Sequence, residues 1–168
     1  MTAMRSARLF VRDIRLEDAP HLLALNADNE VLRYVHDEPF INEQAARDWI
    51  RSIGTELPSG IGRWSVTLQD GTWIGRRSLR RRPNGEVLMG YRLLRSHWGQ
   101  GYATEAVGTL LDFAFGTHRV PYVLSIIAQE NTGSRRVAEK NGGRLWVSNA
   151  GDQPLGTVVY RFDRPGGQ

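Results

Sequence analysis

The chain has 168 residues and a mass of 19.0 kDa, which predicts a single domain able to bury a core without covalent staples. It has no cysteine, which excludes disulfides, thiolate nucleophiles and cysteine metal sites, and its net charge of +4 is carried almost wholly by arginine, Lys140 being the one lysine. The first residues do not resemble a leader peptide, and no apolar run approaches the ~18 residues of a membrane span, so a cytoplasmic protein without membrane contact is expected.

In chain order, Leu9 to Arg15 reads as a strand, and Asp18 as the cap of a helix through Ala27. A short helix follows over Glu30–Val35. Asn42 then caps an amphipathic helix from Glu43 to about Thr55, with Ala46, Trp49, Ile50 and Ile53 on one stripe. Residues 58–62 read as a loop. Trp64–Leu68 and Trp73–Leu79 form a hairpin about Asp70-Gly71, a type I′ signal, and Pro83-Asn84-Gly85 turns the chain into a third antiparallel strand, Glu86–Leu94. Helix 104–116, strand 122–128, helix 132–141 and two strands near Arg144–Val147 and Thr157–Phe162 complete the chain. Antiparallel strands followed by strand–helix–strand–helix give an α+β order.

The most informative stretch is Trp98-Gly99-Gln100-Gly101-Tyr102-Ala103-Thr104-Glu105-Ala106, between the third antiparallel strand and an apolar-periodic helix. Two glycines let backbone N–H groups approach an anion closely, and a following helix adds unsatisfied N–H groups and a positive dipole end. Together these make a phosphate site. A Walker loop is excluded because no lysine lies here. The dinucleotide fingerprint fails as well: Thr104 stands where its third glycine belongs, and no acidic residue ends the next strand, Tyr122–Ala128.

The loop resembles the Arg/Gln-x-x-Gly-x-Gly/Ala pattern of the GNAT superfamily of acyl-CoA N-acyltransferases, with Gly101 and Ala103 in the last two positions and Trp98 in place of Arg/Gln. Gly90-Tyr91, Tyr102 through Ala106, Asn131-x-x-Ser134 and Glu139-Lys140-x-Gly142 are similar to the RimJ/RimL-type branch, which often carries Trp or His at that position. Arg8-Leu9-x-x-Arg12, Asp18-Ala19 and Val31-x-x-Tyr34 extend the likeness toward the start, so it covers about Arg8 to Phe162. The resemblance implies a mixed, mostly antiparallel sheet, splayed beside the loop and flanked by helices. It also implies acetyl-CoA as co-substrate, no metal, and an amine acceptor that is a protein N-terminus or a small molecule. A dimer is common among such relatives.

The residues that match the family's cofactor positions are Leu93, Leu94 and Arg95 for pantetheine, Gly99, Gln100, Gly101, Tyr102, Ala103 and Thr104 for the pyrophosphate, and Asn131 and Ser134 for the pantetheine arm and the thioester sulfur. Arg95 takes the place of a common proline; it can pair with the diphosphate or stand solvated at a strand end. Asn131 can equally be a plain N-cap. Gly143 stands where a large residue is common, which predicts a loosened packing position.

Attack of a neutral amine on a thioester needs a base, because an α-amino group of pKa ~8 is mostly protonated at neutral pH. It also needs donors for the oxyanion, with the backbone around Leu93 the natural source, and a group to assist the departing thiolate. Many superfamily members use a tyrosine of the last helix for that third task. Ala138 occupies the matching position here, leaving Ser134 as the catalytic candidate. For the base, Glu86, Glu105, His36 and Glu38 are all open, as is water. Arg76-Arg77 and Arg80-Arg81-Arg82 can steer nucleic acid or an acidic acceptor, but strand neighbours point to opposite faces and cannot form one stripe. No nucleic-acid-binding motif appears. Two readings stand at this point: an acetyl-CoA-dependent N-acetyltransferase, and a catalytically silent acyl-CoA-binding or sensor module.

Overall fold

The computed structural model describes residues 3–35, 38–55, 60–146 and 154–166. In these, five strands pair antiparallel in succession: β1 (Ala3–Arg5), β2 (Leu9–Asp13), β3 (Ile61–Leu68), β4 (Trp73–Arg81) and β5 (Val87–Leu93). β6 (Tyr122–Ala128) joins β5 in parallel, and the antiparallel strands β7 (Arg144–Trp146) and β8 (Thr157–Asp163) complete the sheet in the order β1-β2-β3-β4-β5-β6-β8-β7. The β7 range stops short of Val147, which lies outside the described residues.

Helices cover both faces because both faces are apolar in part. On one side α1 (Ala19–Ala27), α2 (Asn29–Leu32) and α3 (Glu43–Thr55) gather Leu22, Leu25, Ala46 and Ile50 around Trp73. On the other, α4 (Tyr102–Gly116) and α5 (Thr132–Lys140) bury Val107, Leu110 and Ala138 against Val66, Leu79, Met89, Val123 and Phe162. Each fully buried leucine or phenylalanine in these layers contributes about 1.5–3 kcal/mol of transfer free energy. Trp73 reaches the first layer because a bulge between Val66 and Thr67 shifts the β3–β4 register there.

Local chemistry explains where the elements differ from expectation. Asn42 does cap α3, accepting from the Ala45 N–H at 2.9 Å. Asp18 stands at the N-cap position of α1, but its side chain makes no capping bond to that helix. Its buried carboxylate instead takes both Arg12 guanidinium nitrogens at 2.7 Å, the Arg15 N–H and the Ser65 hydroxyl. The Asp70-Gly71 hairpin is not type I′. Gly71 alone has positive φ (+91°), Gly71 N–H bonds Leu68 O and Leu68 N–H bonds Thr72 O, so a three-residue loop ends on a left-handed glycine.

The connection that positions the site is the parallel one. β5 and β6 meet at a single residue pair, Leu88↔Leu124, and diverge beyond it toward Leu93 and Ala128. The sheet is therefore splayed, and the loop after β5 lies at the mouth of the opening.

Candidate active site

α4 begins at Tyr102, two residues before the expected Thr104. The N–H groups of Tyr102, Ala103 and Thr104 thus belong to the first helical turn, where no helical carbonyl can take them. Gly99 and Gly101 have φ of +74° and +81°, so the loop needs glycine at both positions to turn these groups outward. Arg8 holds the loop from behind. Its Nε donates to Glu105 Oε2 at 2.7 Å, its Nη1 to Gln100 O at 2.9 Å, and its guanidinium lies over the Tyr102 ring. Glu105 also accepts from the Ser6 hydroxyl and the Arg8 N–H. Partial burial pushes the Glu105 carboxyl up, but these donors outweigh it and hold the group below its ordinary value. Glu105 is an anchor ringed by donors.

At the splay, Leu94 N–H bonds Ile74 O at 2.8 Å, so even-numbered residues of this segment hydrogen-bond β4 and the Leu93 N–H and C=O face the opening. The Leu93 carbonyl is taken by the Trp98 indole N–H at 2.9 Å. That bond gives a reason for tryptophan in place of Arg/Gln: it fixes the Leu93 peptide and leaves the Leu93 N–H as a donor. Sequence alone carried no signal for this pairing.

Across the opening, Asn131 Oδ1 accepts from the Ser134 N–H at 3.0 Å, capping α5 and leaving the amide nitrogen as a donor. The Tyr91 hydroxyl donates to Ser134 Oγ at 3.2 Å. Burial raises the Tyr91 pKa, and the bond to Ser134 only partly opposes that, so the phenol keeps its proton at neutral pH. Tyr91 was visible in the sequence as half of Gly90-Tyr91, but nothing there placed its hydroxyl beside Ser134. Ala138 is buried in the core. The expected loosening at Gly143 is absent: a Cβ there would meet the Phe162 ring at 2.7 Å and Ala138 O at 2.9 Å, so Phe162 fills the space.

These groups converge on one cleft of about 1130 Å³, which also reaches α1–α3. Of the sequence-predicted cofactor residues, Leu93, Gly99, Gly101, Tyr102, Ala103, Thr104, Asn131 and Ser134 line it. Leu94, Arg95 and Gln100 are not among the lining residues. The Leu94 N–H serves β4, Arg95 is exposed and paired with Asp28 at 3.4 Å, and Gln100 is engaged through its carbonyl by Arg8 and through its Nε2 with Ser96 O. Among the base candidates, Glu38 lines the cleft; Glu86 pairs with Arg82 and accepts from Asn84 outside it, and His36 lies outside the described residues.

A splayed mixed sheet with an anion-binding loop at the gap defines an acyl-CoA N-acyltransferase fold. Residues 8–144 match the family described as acetyltransferase (GNAT) domain, and the chain belongs to that family. It is 33% identical over 138 residues to the uncharacterized N-acetyltransferase p20 of Bacillus licheniformis, covering 80% of this chain and 78% of that one. The acetyltransferase of Agrobacterium tumefaciens superposes with a TM-score of 0.82 at 27% identity, over 96% and 94% of the two chains. RimL, a ribosomal L7/L12 α-N-protein acetyltransferase solved with coenzyme A, shares the fold at a TM-score of 0.83 and 17% identity, over 96% and 98%. The chain is thus an acetyltransferase enzyme of acetyl-CoA-dependent type, which sets aside the silent-module reading.

Proposed function

We propose that the protein transfers the acetyl group of acetyl-CoA directly to a primary amine, with both substrates bound together in the splayed cleft. The observation that carries this reading is the Leu93–Trp98–Ser134–Tyr91 arrangement around the opening between β5 and β6. Acetyl-CoA supplies the activated thioester. The open first turn of α4 suits its pyrophosphate, and the Asn131 amide suits its pantetheine arm. The Leu93 N–H, which faces the opening beside the Leu93 carbonyl fixed by Trp98, is the donor for charge developing on the acetyl oxygen. Ser134 accepts from Tyr91 and so has its own proton to offer the departing sulfur; a hydroxyl that already accepts is polarised toward donation. Glu38, or water at the cleft, takes the amine proton. The motifs from Gly90 to Gly142 support placement in the RimJ/RimL-type branch, within one domain that works in the cytoplasm.

Titration calorimetry with acetyl-CoA, beside NAD, tests the donor half of this reading, and thiol release with pooled amine and peptide acceptors tests the other. Micromolar acetyl-CoA binding and acceptor-dependent thiol release are expected. Absence of acetyl-CoA binding, or equal binding of NAD, overturns it.

A further inference from the structure

One buried charge takes no part in the chemistry proposed above. In the arginine run of β4, Arg76 and Arg80 line the cleft, whereas Arg77 goes to the opposite face of the sheet and is 1% exposed beneath α4. Its neighbours across the sheet are Trp64 on β3 and Tyr91 on β5. Nη1 donates to Ala106 O and Thr109 Oγ1, and Nη2 to the Met4 thioether at 2.8 Å. Nε has no hydrogen-bond partner, and no carboxylate among the described residues pairs with the guanidinium. Burial pushes the group down to about 9, so it stays charged at neutral pH.

This is a costly residue to place in a core. A buried cation gives up its hydration, and two neutral oxygens and a thioether are weak compensation. The acceptors do not need it either. Ala106 O lies within α4, where the helix supplies the Leu110 N–H, and Thr109 Oγ1 already bonds Glu105 O at 3.3 Å and Ala106 O at 3.2 Å. An apolar side chain of similar length would satisfy the packing without the unpaired charge.

What distinguishes the guanidinium is where it sits. Ala106 belongs to the second turn of α4, so the charge lies roughly 8 Å along the axis from the open N–H groups of Tyr102, Ala103 and Thr104. Other charges at this end of the helix cancel or face water. Arg8 is paired with Glu105 at 2.7 Å, and Arg136 and Lys140, which line the cleft on α5, are exposed. Salt screens exposed charges over about 8–10 Å and a buried one much less. With Glu105 neutralised, Arg77 leaves a net positive charge in a low-dielectric setting behind the turn, where it adds to the helix dipole.

We infer that Arg77 strengthens the diphosphate site from behind: its buried charge acts through the first turn of α4 on the pyrophosphate of acetyl-CoA without touching it. Arg77 is thus a positioning residue for the donor. The inference rests on the pyrophosphate placement proposed above.

The test is titration calorimetry of Arg77→Met and Arg77→Lys proteins with acetyl-CoA and with S-acetyl-pantetheine, which lacks the phosphates, beside melting curves without ligand. Arg77→Met should weaken acetyl-CoA binding about tenfold and leave acetyl-pantetheine binding unchanged. Its melting temperature should equal or exceed that of the parent, since an unpaired buried charge has gone. The loss should persist at about 0.5 M salt, as loss of an exposed charge would not. Arg77→Lys keeps the charge and loses the fork, and should hold acetyl-CoA affinity within about threefold of the parent. Unchanged acetyl-CoA affinity in Arg77→Met, an equal loss for acetyl-pantetheine, or a Lys protein as weak as the Met protein overturns the inference. So does an Arg77→Met protein that fails to fold or melts well below the parent, because Arg77 is then a structural residue. All four leave acetyl transfer intact; failure of the parent to bind acetyl-CoA overturns both.

Discussion

Ser134 and Tyr91 form the smallest unit on which the chemistry depends. Ser134→Ala removes the donor to the sulfur and should lower kcat about 10- to 100-fold, with the acetyl-CoA dissociation constant from calorimetry unchanged. A parallel loss of binding would show that Ser134 holds the cofactor instead. Tyr91→Phe removes one hydrogen bond to Ser134 Oγ and should lower kcat about fivefold, the effect of ~1 kcal/mol. In the double variant the Tyr91 effect should vanish, since Tyr91 acts through Ser134; additive losses would contradict that coupling. Glu105, by contrast, is held by Ser6 and Arg8 and is not among the residues that line the cleft, and its lowered pKa is that of an ion-paired anchor.

At the scale of elements, the loop between β5 and α4 is held at two points. Trp98→Phe deletes the indole N–H that takes Leu93 O, and Arg8→Ala deletes the contacts to Glu105 and Gln100. Each should weaken acetyl-CoA binding about 3- to 10-fold in calorimetry while the fold persists; unchanged affinity would mean the loop holds its shape alone. Gly143→Ala forces a Cβ against Phe162 and should cost about 1–3 kcal/mol, seen as a Tm lower by several degrees. Most elements were legible because their signals are local: the Asn42 cap, the stripe on α3, the hairpin turns and the glycine loop. The cleft residues Tyr102, Ala103 and Thr104 of α4 and Ser134 of α5 were legible through motif spacing, whereas Thr132, Gly133, Arg136 and Val137 of α5 were not. What sequence could not show depends on pairing across the sheet. Tyr91 meets Ser134 only because β5 and β6 diverge, and Trp98 meets Leu93 only because the loop folds back. The split of Arg76 and Arg77 was predicted by strand periodicity, but the convergence of Arg76 with Arg63 and Arg92 follows from register. Asp18 does occupy the N-cap position of α1, but its carboxylate turns to Arg12, six residues earlier, a pull invisible to a local capping rule.

At the scale of the whole molecule, the Arg12–Asp18–Ser65–Trp73 network ties α1 to the sheet beneath the acceptor side of the cleft. Burial pushes the Asp18 carboxyl up, but hydrogen bonds from Arg12, Arg15 and Ser65 and the Arg12 charge bring it below its ordinary 3.8. A carboxyl depressed in the fold stabilises above its unfolded pKa, so this contribution is present above about pH 4 and is lost as pH falls through the lower folded value. Asp18→Asn should destabilise the protein at pH 7 by about 2–4 kcal/mol, because it leaves Arg12 without its counter-charge, and should flatten the fall of Tm with acid. Melting curves from pH 7 to 3 check it; an equally steep acid limb in the variant would remove Asp18 from the explanation. On the reading proposed here, the splayed sheet and the donor loop bring two substrates together at Leu93. The most direct measurement is the stoichiometry of one turnover with acetyl-labelled acetyl-CoA, following the label by mass spectrometry. N-acetyl amide and free CoA should appear in equal amounts, only when an amine is present, with the mass of the protein unchanged. CoA release that ignores the amine, or label retained on the protein, would contradict direct transfer within the cleft.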